Sequence, residues 1–449
     1  MLEIVREAVD FATINGLLKY NTRFQLTHAP FSLSPFPVSR KLLRQFCNFT
    51  PVFNAVWMKI ANNPAFLRNE LEKTARTDDF VRNLLNLLPD DDLFSQRQLL
   101  ISRNDFMLTN DLVEPALPKP KQVEFNTISN SFLSLSKQVS LMHRHLHRKG
   151  LLTSEPIPND PLEAVVDSMA AIITSYGVPN PCLLMVVQEK EQNIFDQRAI
   201  EYRLFEKYDF PTCRMTLTEI SETGSLHEGH LKIRGHIAAI SYFRAGYTPD
   251  DYPGSAEWKA RALIETSSSV KCPSVGMQLA GAKKIQQLLG HEETLRMFTD
   301  SDTAEKVRET FVGLYTLDEL IDTVPAREVA CQAPENFVLK PQREGGGNNL
   351  YGEEMKTGLQ NLTAEQQHAY ILMERIQSTV TPAALVVEST REEIPSISEI
   401  GRFGVCFANG DRLIENRDIG YLVRTKSADE NEGGVCAGYA CLNSLCLED

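Results

Sequence analysis

Three consecutive glycines lie between charged and amide side chains in residues 340–349, which read Lys-Pro-Gln-Arg-Glu-Gly-Gly-Gly-Asn-Asn. Glycines let the main chain approach a ligand closely, and successive N–H groups in such a loop can bind phosphate oxygens. Lys340 and Arg343 add positive charge, and Glu344 supplies an oxygen ligand suited to Mg²⁺ beside phosphates. A glycine triplet alone is also typical of a flexible hairpin tip. The charged setting nevertheless favours a phosphate and Mg²⁺ site.

Two further polar clusters each accompany a predicted strand. Residues 122–126 alternate between polar and apolar types, so that the polar side chains point to one face. The apolar run 183–187 precedes the second cluster, and the carboxyl end of a strand is where an open α/β sheet binds ligands. Taken alone, the first cluster is equally consistent with a structural turn. The second is equally consistent with the capped start of a helix. The first comprises Glu124, Asn126, Ser129 and Ser131, and the second comprises Glu191, Asn193 and Gln197.

The elements that would position these clusters alternate in type along the chain. Apolar periodicity predicts helices with proline-rich joints over residues 1 to about 110. A predicted helix at about 160–176, followed by apolar runs at 183–187 and 237–243, indicates a doubly wound α/β unit at roughly 182–281. Short strands are predicted at 337–340, 370–374 and 404–407. The fold class is therefore α/β.

Composition limits the classes of partner. The 449 residues carry 46 Lys and Arg against 59 Asp and Glu, a formal net charge of −13 that disfavours nucleic acid and anionic membranes. No apolar run approaches the length of a membrane span. Nine cysteines without a C-x-x-C pair indicate reduced, mostly buried thiols. We therefore expect a cytoplasmic protein, with a removed secretory leader as the alternative.

Two polar segments invite a functional interpretation that the sequence disfavours. His143, His145 and His147 alternate, but only the first and last share a helix face, so a solvated helix is favoured over a metal site. The charged residues 429–432 are expected to form a short solvated loop.

Several motifs together carry a family resemblance. They are QEKEQNIFDQRAIE, KCPSVGMQLAGAKKIQQ, VLKPQREGGGNNLYGEEM, YILMERI, and LVRTK followed by GGVCAG. In these motifs the chain resembles eukaryotic glutathione synthetase, a member of the ATP-grasp superfamily, from about residue 5 to the carboxyl terminus. The resemblance implies an ATP-grasp fold with antiparallel sheets around the nucleotide, an inserted doubly wound α/β substrate domain and a helical amino-terminal region.

The resemblance also implies a division of the chain. Residues 1–115 would form the helical amino-terminal part of the core, and 116–181 would carry the metal and dipeptide residues. Residues 182–281 would form the α/β substrate-binding domain. Residues 282–449 would complete the core, with a lid at about 335–400 and an acceptor loop at 424–438.

The implied activity is an ATP-dependent carbon–nitrogen ligation. It would join γ-glutamylcysteine to glycine, or to another small amino acid, through an acyl phosphate. ATP and Mg²⁺ would be required, and the chain would form a homodimer. The alternative is a diverged relative with an altered acceptor or thiol substrate, or one that mainly binds ligands and has little or no ligase activity.

Site residues follow from the positions that match the family motifs. The implied metal ligands are Glu124, Asn126 and Glu344, and the implied catalytic residues are Arg103, Lys340, Glu344 and Arg424. The implied nucleotide-binding residues are Lys283, Lys340, Gly345, Gly346, Gly347, Asn349, Tyr351, Met373, Glu374, Glu399 and Lys426. The implied substrate-binding residues are Arg103, Ser129, Ser131, Glu191, Asn193, Gln197, Arg244, Tyr247, Arg424, Val435 and Cys436.

Two positions depart from the family pattern. Ser134 stands where the family has glycine, and we expect its Cβ to lie where the main chain would approach the dipeptide. Cys436 stands where the family has alanine in the acceptor loop. We expect its sulfur to reshape the acceptor pocket and to make glycine a poorer substrate.

Overall fold

The computed structural model describes residues 2–89, 97–109, 118–343 and 347–448. The helices are α1 (Leu2–Ile14), α2 (Arg40–Ala61), α3 (Pro64–Thr77), α4 (Asp79–Asn86), α5 (Leu133–Arg148), α6 (Pro161–Tyr176), α7 (Ile194–Tyr208), α8 (Leu217–Thr223), α9 (Ser255–Thr266), α10 (Val275–Ala280), α11 (Lys283–Leu289), α12 (Glu292–Arg296), α13 (Ser301–Arg308), α14 (Ala326–Gln332) and α15 (Gly352–Asn361). The strands are β1 (Leu18–Tyr20), β2 (Leu26–His28), β3 (Phe31–Ser32), β4 (Phe36–Val38), β5 (Arg97–Thr109), β6 (Lys119–Asn126), β7 (Pro181–Val186), β8 (Thr212–Met215), β9 (Ser225–His227), β10 (His230–Ile233), β11 (His236–Phe243), β12 (Val270–Cys272), β13 (Leu314–Tyr315), β14 (Leu320–Ile321), β15 (Val324–Pro325), β16 (Phe337–Pro341), β17 (Leu350–Tyr351), β18 (Tyr370–Glu374), β19 (Thr381–Val387), β20 (Thr390–Asn409), β21 (Arg412–Ser427), β22 (Cys441–Asn443) and β23 (Leu445–Leu447).

A large mixed sheet of 13 strands organises the molecule. Its central strand β5 pairs antiparallel with β20 and β6 and parallel with β12. The parallel strands predicted between residues 182 and 281 are present as β7, β8, β11 and β12. Because β12 pairs with β5, the parallel strands of the α/β unit and the antiparallel strands β5, β6 and β20 form one continuous sheet.

A second, four-stranded sheet has the order β13-β18-β16-β17 and is antiparallel throughout. The strands predicted at 337–340 and 370–374 are confirmed as β16 and β18. A separate small core that includes Phe337, Leu339 and Met355 packs beneath this sheet. The other face of this sheet, which includes Val338 and Met373, packs into the core that it shares with the large sheet.

Helix α2 covers one face of the large sheet. Ser39 caps it by accepting a hydrogen bond from the Leu42 N–H at 3.2 Å. Its apolar residues recur at helical spacing, and the Trp57 ring lies 4.3 Å from Phe125 of β6. Since successive side chains of a strand point to opposite faces, β5 and β6 keep their other face for polar residues.

The prediction of helices throughout the first 110 residues was wrong in two places. Residues 18–38 form the short strands β1 to β4, and residues 97–109 form β5. Strand β3 pairs with β19 and β22, and β4 pairs with β23, so both depend on residues far along the chain. The predicted helix at 160–176 is confirmed as α6, whereas the strand predicted at 404–407 is part of the much longer β20.

The prediction of a solvated helix at residues 143–147 was wrong for His143. His143 is fully buried between the Ser444 hydroxyl and the Ser32 carbonyl, each 2.8 Å from a ring nitrogen. Burial lowers the pKa of His143 to about 4, so the ring is neutral. In the described ranges, no group of three or more His, Cys, Asp or Glu could hold a metal ion.

The cysteines conform to expectation, since all nine are free and six are buried. None of the helices in the described parts of the chain is long and apolar enough to cross a membrane.

Candidate functional site

A cavity of about 820 Å³ lies between the two sheets. It gathers most of the residues that the motifs singled out, although these are spread over more than 300 positions of sequence. The predicted residues that line it are Arg103, Glu124, Asn126, Ser129, Ser131, Glu191, Asn193, Tyr247, Lys283, Lys340, Asn349, Tyr351, Met373, Glu374, Glu399, Arg424, Lys426, Val435 and Cys436.

Some predicted residues lie behind the cavity wall or outside the described residues. Gln197 is buried and donates to Glu191 Oε2 at 3.1 Å, so it supports a lining residue. Arg244 is also buried and donates from Nη2 to the Ser131 hydroxyl at 2.6 Å. Gly347 donates its N–H to Glu432 Oε2 at 2.8 Å, and Glu344, Gly345 and Gly346 lie outside the described residues.

Strands β5, β6, β20 and β21 supply the charged floor of the cavity. Arg103 binds Asp105 through two nitrogens, with Nε 2.7 Å from Oδ1 and Nη2 2.8 Å from Oδ2. Arg424 Nη2 lies 3.0 Å from Asp105 Oδ2 and also contacts Glu399. Burial raises the pKa of the Glu399 carboxyl, and Arg424 offsets this only in part. Asn126 Nδ2 donates to Asp105 Oδ2 at 3.0 Å.

Two lysines connect the floor to neighbouring elements. Lys283, at the start of α11, lies with Nζ 2.8 Å from Glu124 Oε2, and Lys340 of β16 donates to the Val123 carbonyl at 3.0 Å. Burial raises the pKa of Glu124, but Lys283 and Lys340 more than offset it, so the carboxyl titrates well below its usual range. Glu124 is thus ionised at neutral pH, and two ammonium groups face the same part of the cavity.

In the described part of the glycine-rich segment, Arg343 has a second role that the sequence did not indicate. Arg343 pairs with the buried carboxylate of Asp78, which caps α4, so its charge serves a structural contact as well as lining the cavity. The loop 429–432 differs from the sequence interpretation, because Glu432 and Asn431 line the cavity instead of lying wholly in solvent. Lys426 Nζ donates to the Asn431 carbonyl at 2.6 Å, and burial lowers the pKa of Lys426.

Glu374 lines the cavity at the end of strand β18, but its carboxylate turns to neighbouring residues. It accepts from the Gly313 N–H at 2.9 Å and from the Tyr315 hydroxyl at 3.0 Å. A Cβ on residue 313 would lie 2.5 Å from the Glu374 carboxyl carbon, so this contact requires glycine there. Asn349 Nδ2 lies 3.3 Å from the Tyr351 hydroxyl across the same end.

The expectation for Ser134 was wrong. Ser134 lies in the first turn of α5, it does not line the cavity, and its N–H donates to Asp196 Oδ1 at 2.8 Å. The positive φ of this segment falls at Ser129 (54°) and Phe132 (76°). The Cβ of Ser134 therefore does not face a ligand in the cavity.

Cys436 lies in the cavity wall as expected, half-buried in the loop after β21. Burial raises the pKa of its thiol to about 12, so the sulfur is protonated. Lys19 of β1 donates to the main-chain carbonyls of Val435 and Cys436 at 3.2 and 3.1 Å. The loop is thus fixed through its main chain.

Comparison with known proteins places this chain in a family. The family model described as eukaryotic glutathione synthase, ATP binding domain, matches residues 1–447. The chain belongs to the eukaryotic glutathione synthetase family. It is 38% identical to glutathione synthetase of Homo sapiens, with 98% of this chain and 96% of that protein covered. The corresponding values are 37%, 99% and 85% for the chloroplastic glutathione synthetase of Arabidopsis thaliana, and 35%, 99% and 99% for glutathione synthetase of Dictyostelium discoideum.

A solved structure agrees with the fold. The apo glutathione synthetase-like effector of Globodera pallida superposes with a TM-score of 0.79 at 18% identity, with 100% of this chain and 97% of that chain covered. Membership of the glutathione synthetase family confirms the resemblance predicted from the motifs and the class of ATP-dependent ligase. The alternative of a diverged, mainly binding relative is not favoured by these similarities.

Sequence reasoning missed four residues that line the cavity or contact residues near it. Asp105 had a signal, since it lies two positions after Arg103 and the two side chains share one face if the segment is a strand. Glu432 belongs to a segment that was interpreted as solvated. Asp196 is fully buried and accepts from the N–H groups of Phe132 and Ser134, and Lys19 contacts a loop more than 400 residues away. Lys19 had no signal in the local sequence pattern, whereas Asp196 lies within the motif QEKEQNIFDQRAIE.

The donor set on β6 fits Mg²⁺. Glu124 and Asn126 offer a carboxylate and an amide oxygen on one strand face at the cavity. Mg²⁺ is typically bound by one or two carboxylates together with substrate phosphates. The ionised state of Glu124 suits that role, because metal ligation requires deprotonated carboxylates.

Proposed function

We propose that this protein joins γ-glutamylcysteine to glycine at the expense of ATP, yielding glutathione, ADP and phosphate. Family membership supports the activity. The single observation that carries the assignment of the site is that Arg103, Arg424, Lys283 and Lys340 meet in one cavity with the ionised Glu124. Such a cluster suits a reaction that transfers a phosphoryl group between two anions.

The reaction would proceed in two steps. An oxygen of the cysteinyl carboxylate attacks the γ-phosphorus of ATP, so that an acyl phosphate forms and ADP leaves. The amine of glycine then attacks the acyl carbon, the amide forms, and phosphate and a proton leave. Negative charge develops on the phosphoryl oxygens and then on the acyl oxygen, so fixed cations stabilise both transition states. Arg103 and Arg424 would face these oxygens, since both line the floor.

Nucleotide would bind between the two sheets in the manner of an ATP-grasp enzyme. Lys283, Lys340 and Lys426 would contact phosphate oxygens, and the segment 345–347 would cover them with main-chain N–H groups. Residues on and beside the four-stranded sheet would surround the rest of the nucleotide. These are Asn349, Tyr351, Met373 and Glu374, with Glu399 on the opposite sheet.

Mg²⁺ would be held by Glu124 and Asn126, together with Glu344, for which the support is the motif alone. When bound, it would neutralise charge on the phosphate oxygens. Lys283 already pairs with Glu124 at 2.8 Å, so the same carboxylate connects the metal position to a phosphate-binding lysine.

The dipeptide would occupy the end of the cavity near Ser129, Ser131, Glu191, Asn193 and Tyr247. Gln197 and Arg244 stand behind this wall and orient Glu191 and Ser131 through hydrogen bonds. The acceptor would lie beside Val435 and Cys436. Residues 182–281 would thus act as the substrate-binding unit that the resemblance implies.

A homodimer is the proposed assembly, through the surface of the β1–β2 hairpin, the end of α1 and the outer face of α7. Large apolar side chains are exposed there, notably Ile14 (83%), Leu26 (58%), Tyr202 (59%) and Phe205 (57%). A second copy that covers them would remove apolar area from water.

The unpaired thiols fit the reducing cytoplasm, which is the proposed compartment.

One coupled assay tests the activity. Purified protein is given ATP, Mg²⁺ and γ-glutamylcysteine, and ADP release is followed with glycine, β-alanine, serine or no acceptor. We expect release that depends on both dipeptide and glycine, with glutathione identified by mass spectrometry. Release with another acceptor but not glycine would favour the altered-acceptor alternative. No release with any acceptor would overturn the ligase proposal.

A further inference from the structure

Asp105 lies beneath the floor of the cavity, where three strands meet. Its side chain is fully buried and is not part of the cavity lining. It nevertheless contacts three residues that do line the cavity, namely Arg103 beside it on β5, Asn126 on β6 and Arg424 on β21. One buried carboxylate is therefore shared by three site residues from three strands.

Each contact fixes the orientation of a functional group. The Nε and Nη2 edge of Arg103 is taken up by Asp105, which leaves its Nη1 amino group for the cavity. Asn126 donates from Nδ2 to Asp105 Oδ2 at 3.0 Å and to the Arg103 carbonyl at 3.3 Å. A carboxylate only accepts, so the amide nitrogen must face it and the amide oxygen must face the cavity.

Gly401 provides the space that this arrangement needs. It stands opposite Asp105 on the neighbouring strand β20. A Cβ there would lie 2.6 Å from Asp105 Oδ1 and 3.0 Å from Cγ and Cδ of Arg103. Any larger residue at 401 would therefore displace the ion pair while its charges stayed intact.

We propose that Asp105 is a positioning residue, which holds two arginines and one amide oxygen in the geometry that the ligation requires. The inference rests on the proposed function and deepens it. Preorganised groups stabilise a transition state only when they are already in place, and a misplacement of about 1 Å can cost about 100-fold in rate. Asp105 would act through its neighbours and not touch substrate.

The first test compares the Arg103–Asp105 pair with a second, less deeply buried Arg–Asp pair on the opposite face of the same sheet. Asp105→Asn removes the carboxylate charge with little change in volume, and we expect kcat for glycine-dependent ADP release to fall about 100-fold. The Mg²⁺ concentration for half-maximal activity should rise as well, because Asn126 loses its fixed orientation. The control is Asp418→Asn, since Asp418 pairs with Arg402 at 3.0 Å and neither residue lines the cavity.

Both variants lose an ion pair, so both should lower the thermal midpoint. Only Asp105→Asn should lose turnover and shift the Mg²⁺ requirement. If Asp105→Asn keeps kcat within about threefold of the control, or if the two variants lose activity in proportion to their loss of thermal midpoint, the positioning role is wrong.

A second pair of variants covers the case in which Asp105→Asn does not fold. Gly401→Ala crowds Asp105 and Arg103, whereas Gly404→Ala crowds Asn54 and Ser102 at the same 2.6 Å on the other face of β20. We expect Gly401→Ala to lose kcat at least tenfold more than Gly404→Ala. Equal activity in the two would count against the inference.

Crystal structures separate this inference from the proposed function. If the unaltered protein shows no dipeptide-dependent ADP release, the proposed function fails, and the positions of the side chains still decide the inference. We expect the guanidinium groups of Arg103 and Arg424 to move by more than about 1 Å in Asp105→Asn. Unmoved guanidinium groups would overturn the positioning role whatever the activity.

Discussion

The strand-borne and the loop-borne residues of the cavity differ in what fixes them. On the strands, Arg103, Asn126 and Arg424 are fixed through their side chains, all of which contact the buried Asp105. On the loops, the fixing contacts go mainly to the main chain. Examples are the Val435 and Cys436 carbonyls, which accept from Lys19, and the Gly347 N–H, which donates to Glu432.

This difference predicts different responses to substitution. A strand-borne side chain belongs to a connected network of charges, so its removal leaves other buried groups unpaired and affects the chemistry of the whole site. A loop-borne side chain can change while its main-chain contacts stay in place. We therefore expect the strands to govern turnover and the loops to tune which substrate is used.

Lys340→Met should give the largest effect. Lys340 is 4% exposed, lines the cavity and faces the region of Glu124. Removing one preorganised donor from such a site typically costs about 10²–10³-fold in kcat. Steady-state ADP release measures the effect. The control is Lys121→Met, because Lys121 also donates to main-chain carbonyls, those of Glu309 and Phe311, but does not line the cavity. Equal losses would contradict a special role for Lys340.

His143→Gln tests how the packing behind the loops contributes to stability. His143 connects α5 to Ser32 of β3 and to Ser444 next to β22. The folded chain takes up a proton there only near pH 4, whereas the unfolded chain does so near 6.5. The free energy of unfolding should therefore fall as pH drops from 6.5 to 4, by on the order of 3 kcal/mol from this group.

Urea unfolding at several pH values measures that dependence. The glutamine variant cannot take up the proton, so its free energy of unfolding should fall by about 3 kcal/mol less than that of the parent over the same pH range. Parallel pH profiles in the two proteins would show that His143 is not responsible.

Glu124→Gln should produce an intermediate effect on the strand side. It keeps the shape of the side chain but removes the charge that faces Lys283 and the proposed Mg²⁺ position. We expect the Mg²⁺ concentration for half-maximal activity to rise about tenfold or more. A matched control is Glu374→Gln, since Glu374 lines the cavity but binds Gly313 and Tyr315. An unchanged Mg²⁺ requirement in Glu124→Gln would remove Glu124 from the metal site.

The strand side of the site was also the easier one to predict from sequence. Alternation over residues 122–126 correctly placed Glu124 and Asn126 at one surface, because the direction of a side chain on a strand follows from its position. The same rule applied to β5 would have paired Asp105 with Arg103. The apolar periodicity of the first 110 residues predicts helices, however, so the pattern does not reveal β5.

The loop side depends on contacts between distant parts of the chain. Lys19 reaches residues 435 and 436 only because β3 pairs with β22 and brings the amino-terminal hairpin beside the last third of the chain. Ser134 shows the converse error. A family glycine suggested close approach to a ligand, whereas the structure uses that N–H to bind Asp196 behind the wall.

Cys436→Ala should give the smallest effect and the one most specific to the loops. Cys436 is half-buried and lines the cavity, while Lys19 donates to its main-chain carbonyl at 3.1 Å. Alanine would therefore remove one heavy atom without moving the loop. Because a group of about this size changes substrate discrimination by about tenfold or more, we expect kcat/KM for glycine to rise by about tenfold relative to that for β-alanine or serine.

Competition between acceptors in one reaction measures that ratio directly, because differences in enzyme concentration cancel. Cys441→Ala is the control, since Cys441 is buried in β22 just beyond the loop and does not line the cavity. It should lower the thermal midpoint without changing the acceptor ratio. If Cys436→Ala leaves the ratio unchanged while kcat also stays the same, the sulfur does not contact the acceptor. The difference from the family pattern at this loop would then have no consequence for specificity, and acceptor choice would have to come from the strand side of the cavity.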